Sequence, residues 1–303
     1  MANIDIDEYK EEIKGKRNEW FIQPYDLVYK QFEEYEFHLK AKEYFIENAS
    51  FIVEKLREAS WEYFHPKEKQ FTSFMLQKLV SKEEIRNLNG LEAITYFIES
   101  FPEHIYALTL SNTQSRRSRA GKEFEAIIEI ILIGANIPMD SQGNIGKKVF
   151  MEKGLGKMVD IVSPGAIEYI INKRNTILIS AKTTLRERWQ EVPEEMERTG
   201  AREMFLITLD ENISAEVIET LYDNNIQIVT TRNNKKRNYS SYNNVLDMEE
   251  LLDILSVNAM QWKNYMFSEK ERTSIRELIK KQLDKHSKHQ FVRRYYEQQL
   301  ERL

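Results

Sequence analysis

The 303-residue chain carries 44 lysines and arginines against 49 aspartates and glutamates, a formal net charge of −5, and no cysteine. The missing thiols exclude disulfides, thiolate zinc sites and cysteine nucleophiles, and they suit a cytoplasmic protein. With 41% hydrophobic and 31% charged residues the composition is that of a globular chain; no apolar run approaches the roughly 18–20 residues of a membrane span, and the acidic opening MANIDIDEYKEE is unlike a secretion signal.

Residues 1–110 read as helices. Phe45, Ala49, Ile52, Val53 and Leu56 recur at spacings of three and four, the period of one buried helical face. Trp61 and Phe64 follow three apart, and Pro66 and Pro102 punctuate the region. A helix is expected to start near Ser115 or Ser118, to run through Glu123–Ile130 and to end around Gly134 and Pro138. Short β-branched runs follow at Met158–Val162, Thr176–Ser180, Met204–Thr208 and Ile226–Thr230, while 166–172 fits strand or helix. Pro193–Arg198 and Ala215–Tyr222 are helical stretches between the later strands. Strand–helix–strand order predicts a mixed sheet with helices on its faces. Helix resumes in Val245–Leu255 and in a charged tail ending at Phe291–Tyr296. The chain thus divides into a helical region 1–110, an α/β core 111–232 and a helical region 233–303.

The chemistry is carried by Val159-Asp160 on one strand-like run and Ser180-Ala181-Lys182 on the next. If the intervening segment returns the chain to the same sheet, Asp160 and Lys182 meet at one end of neighbouring strands. Phosphodiester hydrolysis needs such a set. Carboxylates hold Mg²⁺, which takes oxygen ligands and keeps several waters. The cation neutralises phosphoryl oxygens and acidifies water, and a lysine positions the nucleophile and stabilises developing charge. The position two before the lysine is Ser180, which supplies no charge. The second carboxylate then comes from Glu195, just after Pro193, or from Glu125 on the preceding helix. An Asp and a Lys near strand ends also occur in any α/β protein.

Arg186-Glu187-Arg188, directly beyond the lysine, favours the nuclease. Arginine pairs bidentately with guanine O6 and N7, and glutamate accepts from cytosine N4. The triplet can read a CC/GG half-site, and a two-fold dimer reads it twice as a palindrome. In isolation the same triplet is a solvated, ion-paired turn. The acidic total does not oppose a DNA partner, because Arg116, Arg117, Arg119 and Lys122 form one basic cluster and Arg232, Lys235, Lys236 and Arg237 another. Gln114, just before the first, is either a turn residue or a contact to base edges at the site centre. Trp61, one turn after Arg57, is either core or a stacking platform with Arg57 across a base. Gly143–Lys148 and Gly154–Lys157 lack the spacing of an ATP-binding P-loop. His286 and His289 read as solvent-facing, and five scattered histidines build no zinc site.

Asp160, Ser180-Ala181-Lys182, Arg186-Glu187-Arg188 and Glu195 together resemble the PD-(D/E)xK restriction endonucleases. Within them they are most similar to the CCGG- and CCNGG-reading branch that includes SsoII, PspGI, NgoMIV and the catalytic domain of EcoRII. The motifs span residues 114–195, and length and spacing fit the SsoII kind best. Serine at 180 is itself a mark of that branch, whose acid comes from the following helix. Val159 stands where the broad pattern has proline, which is not a ligand. The resemblance implies a homodimer, Mg²⁺, cleavage of both strands before the first C of CCNGG, extrusion of the central bases and a methyltransferase protecting the same site. The flanking helices match that branch only in general character; DNA contacts are expected from 1–110 and dimer contacts from 233–303. The alternatives are a non-catalytic DNA-binding protein on the same fold and another PD-(D/E)xK nuclease without the triplet's specificity.

Overall fold

The computed structural model describes residues 4–186 and 188–303, with the backbone alone at Arg188. Backbone contacts divide the chain into two compact units, Met1–Gln31 with Arg57–Glu123, and Phe32–Leu56 with Phe124–Leu303. The boundaries at 110 and 232 expected from sequence do not coincide with this division.

The larger unit is built on a six-stranded sheet ordered β1 (Asp140–Ser141), β2 (Ile161–Ser163), β3 (Ile177–Lys182), β4 (Met204–Thr208), β5 (Ile226–Thr230) and β6 (Val245–Asp247). β1, β2 and β3 pair antiparallel, and β3 through β6 pair parallel. The expected mixed sheet flanked by helices is what forms. Leu178, Met204, Leu206, Ile226 and Ile228, at the period of two that selects one face, join one core with Val192 and Met196, Ile218 and Leu221, and Leu278. Those residues come from the helices Glu191–Thr199, Ala215–Asp223 and Glu269–Lys285. Ile179, Phe205, Ile207 and Val229 on the opposite face are also buried. That is why β3, β4 and β5 read as near-continuous apolar runs, as strands covered on both faces do.

Several expected elements are corrected. The helix placed at Ser115 or Ser118 begins at Pro102 and runs to Gly134. Pro102 stands in its first turn, where the missing N–H costs nothing. The serines that looked like caps lie mid-helix, where polar partners absorb the polar stretch: Asn112 donates to Thr72 (2.9 Å) and Arg116 to Glu68 (2.6 Å). Pro66 does not break its helix, which spans Ala49–Gln77. The run 158–162 pairs only from Ile161, and 166–172 is the helix Ala166–Ile171. Val245 begins a strand, and Asp247 caps the helix Met248–Met260 in a reciprocal box with Glu250. His286 and His289 are buried rather than solvent-facing. Their Nδ1 atoms lie 3.1 Å apart and His286 Nε2 is 3.2 Å from Glu129.

The smaller unit is helical. Its core gathers Tyr9, Ile13, Phe21, Phe64, Phe71, Met75, Phe101 and Leu108. No described helix is long and apolar enough to cross a membrane.

Candidate active site

Antiparallel pairing of β2 with β3 sets Ile161 opposite Ile179, so Asp160 falls beside the last residues of β3. Its amide donates to Ile179 O (2.9 Å) and its carbonyl accepts from Gln142 N (2.8 Å), which fixes the backbone. Asp160 Oδ2 then accepts from Lys182 Nζ at 2.8 Å and from Ala181 N at 2.7 Å. The two side chains are 13% and 12% exposed. An acid and an ammonium therefore meet at one strand end, 22 residues apart in sequence.

The period of two puts Ser180 and Lys182 on the sheet face that Val192 and Met196 cover. Glu195 belongs to the same helix and is 6% exposed. Its carboxylate packs on Gly156, where a β-carbon would overlap it. Gly156 lies four residues before Asp160, so the two acids stand at the two ends of one short stretch. Among the described residues Glu195 has one ion partner, Arg198, at 3.9 Å. Ser180 Oγ is buried with no hydrogen-bond partner among them. A buried carboxylate with acceptor capacity to spare and an oxygen-only donor set fit a hard divalent cation, which needs one or two protein carboxylates beside water and phosphate. No cluster of three His, Asp or Glu groups suited to a metal occurs among the described residues. Glu125 is half-buried on the Pro102–Gly134 helix.

Beyond Lys182, Leu185 is buried and its amide donates to Asp210 Oδ2 at 2.9 Å. Arg186 follows, exposed, with φ of 44°. Glu187 and the Arg188 side chain lie outside the described residues.

In the smaller unit, Arg57 and Trp61 line one recess of about 170 Å³ together with Phe64, Arg116, Arg119, Ala120 and Glu123. Trp61 is 49% exposed and stacks on His65 at 4.8 Å, so it is no core residue. Burial pushes the Arg57 guanidinium below its usual pKa, against the pull of Glu123. Burial likewise raises Glu123, opposed by Arg119 and Arg57.

Comparison with known proteins decides the lineage. A family model described as EcoRII C terminal matches residues 74–252, more than half of the chain. The chain belongs to the EcoRII C-terminal family. It is a type II restriction endonuclease, being 46% identical over all 303 residues to the type II restriction enzyme SsoII of Shigella sonnei, 99% of which is covered. Metal-depleted Ecl18kI, solved in complex with uncleaved DNA, superposes with a TM-score of 0.93 at 45% identity over 98% of this chain and all of that one. Endonuclease PspGI, solved with substrate DNA, shares the fold at a TM-score of 0.59 and 16% identity, over 80% of this chain and 94% of that one. The alternative of a non-catalytic protein falls with this result.

Two residues make contacts that sequence reasoning did not foresee: Gly156, read only as part of a rejected P-loop, seats Glu195, and Asp210 holds Leu185. Gln114, expected in a loop, lies mid-helix and exposed, beside two grooves of the smaller unit. Of the second basic cluster, Lys235 is paired with Glu250 (2.6 Å) and Arg232 with Asp247 (3.3 Å), leaving Lys236 and Arg237 exposed.

Proposed function

We propose that this cytoplasmic endonuclease uses Mg²⁺ to hydrolyse both strands of double-stranded DNA at a CC/GG palindrome, CCNGG cut before the first C. The observation that carries the reading is the 2.8 Å pair of Lys182 and Asp160 at the end of β3, with Arg186 four residues beyond. Asp160 and Glu195 hold the cation, and Glu125 supports the site from its helix. When bound, the cation supplies charge neutralisation at the phosphoryl oxygens and acidifies water. Lys182 orients the attacking water by its ammonium protons and offsets charge gathering on the phosphate. Asp160 Oδ2 holds that ammonium in place before substrate arrives.

Arg186 and Arg188 read the two guanines, and Glu187 accepts from the cytosine amino groups. Gln114 contacts base edges at the site centre. Two copies related by a two-fold axis read the two half-sites, with dimer contacts from 233–303. Ecl18kI, similar over nearly the whole chain, has been solved on DNA, which supports the duplex as partner. An extra central pair separates the half-sites by about 3.4 Å, with roughly 10–10.5 pairs per turn. Extruding the central bases closes that gap, and an exposed indole beside a half-buried guanidinium is a stacking pocket indifferent to base identity. A methyltransferase acting on the same site protects the host.

Digestion of DNA of known sequence with Mg²⁺, followed by mapping of both ends, tests the reading. Discrete fragments ending 5′ of the first C of CCNGG are expected. Scattered ends, or cutting at an unrelated sequence, would overturn it.

A further inference from the structure

We infer that Asp210 is a positioning residue for base recognition: its carboxylate fixes the Leu185 amide and so sets where Arg186 leaves the catalytic strand. The inference rests on the reading of Arg186–Arg188 as the base readers.

β3 and β4 run in parallel with Lys182 opposite Thr208, so the turn after β4 emerges beside the segment that follows the lysine. Asp210 heads that turn and is held from every side. Its amide donates to Thr208 Oγ1 (3.2 Å). Its carbonyl accepts from Asn234 Nδ2 (2.9 Å) and from Tyr239 Oη (2.8 Å). Asn234 also donates to Thr230 Oγ1 at the end of β5 (2.7 Å), and Tyr239 Oη accepts from Ile213 N (3.1 Å). One carboxylate oxygen takes the Asn212 amide (3.2 Å) and the other takes Leu185 N (2.9 Å). A side chain tied this firmly cannot follow a moving loop, so the loop follows it.

The segment it holds is set against its own preference. Arg186 has φ of 44°, a left-handed conformation that side-chain-bearing residues keep only where surroundings impose it. Leu185, buried beneath it in the core with Val192 and Met196, anchors the side chain. The Asp210 carboxylate anchors the backbone through a charge-assisted bond. Two anchors on one residue fix both the position and the direction of the next, which is what a bidentate reader needs. Both oxygens of Asp210 accept backbone amides, so its carboxylate ties the turn after β4 to the segment after β3.

The test measures the dissociation constant for a duplex with the site scrambled divided by that for the CCNGG duplex, in Asp210→Ala, Asp210→Asn, Arg186→Ala and the double variant Asp210→Ala/Arg186→Ala. Asp210→Ala should lower the ratio about tenfold, the worth of one charge-assisted hydrogen bond, while binding to the scrambled duplex and the melting temperature stay near wild type. Asparagine keeps one acceptor oxygen and should restore most of the ratio. Asp210→Ala should add little once Arg186 is gone. An unchanged ratio in Asp210→Ala with a lowered one in Arg186→Ala overturns the positioning role and leaves the reader intact. Additive losses in the double variant do the same. An unchanged ratio in Arg186→Ala removes the reader itself, and the positioning role with it. Should Asp210→Ala fail to fold, an ester in place of the Leu185 amide deletes the donor alone, and the same ratio decides.

Discussion

Gly156 owes its place to its neighbour, the carboxylate of Glu195, which leaves no room for a β-carbon. Gly156→Ala should therefore push Glu195 out of position while the fold survives. We expect single-turnover cleavage to need about tenfold more Mg²⁺, in line with the cost of disturbing a ligand's support, and a melting temperature close to wild type. Asp160→Ala and Lys182→Ala go further: cleavage should drop at least 10²–10³-fold, as for loss of a group aimed at transition-state charge, with specific binding still visible by gel shift. The contrast shows what a sequence discloses at this scale. Asp160, Lys182 and Glu195 could be proposed from sequence because their chemistry is written in residue type; strand order and period place the first two, while Glu195 lies on the helix Glu191–Thr199. Gly156 and Asp210 act through what they touch, and no spacing rule reveals a neighbour brought in from 39 or 25 positions away.

Strands were legible as elements because both faces of the sheet are buried, so that β3, β4 and β5 are mostly apolar, with polar residues chiefly at their C-terminal ends. Helix ends were not, because Ser115 and Ser118 mimic caps while their polar neighbours are satisfied by the Ala49–Gln77 helix. The helix Ala166–Ile171 carries a second consequence. Its Glu168 sits over Gly165 close to Asp140, whose own oxygens take Ala166 N (2.8 Å) and Gln282 Nε2 (2.7 Å). Burial first and Asp140 second push Glu168 up to about 7. A carboxyl that binds its proton more tightly folded than unfolded makes the folded state lose stability as pH rises from near 4.5 through about 7. Thermal melts from pH 5 to 8 should show that loss, and Glu168→Gln should flatten it by about 1–3 kcal/mol; parallel wild-type and variant curves would refute it. In the recess of the smaller unit, Trp61→Ala should alter the fluorescence change of 2-aminopurine placed at the central position of the site. No change on binding in the wild type would remove base extrusion, and identical signals in both proteins would remove Trp61 from it.

For the molecule as a whole, the proposed readout makes a prediction about modified DNA. Methylation at cytosine N4 within the site replaces one of the amino hydrogens and crowds the hydrogen bond that Glu187 is proposed to accept, at a cost of about 1–3 kcal/mol of discrimination per contact. Gel shifts on methylated and plain duplexes should differ at least fivefold; equal binding would refute the role of Glu187. The proposed palindromic site would ask for two chains, and the sheet bears on how they could meet. Its outer strands are the two-residue β1 and the three-residue β6. Margins this short offer too few free backbone groups to template a further strand. Joining two copies by extending one sheet into the other, a route open to proteins with long bare borders, is disfavoured here. The proposed dimer would then pair through side chains on helices and loops, where a mutation can tune it one contact at a time without opening a path to fibrous stacking.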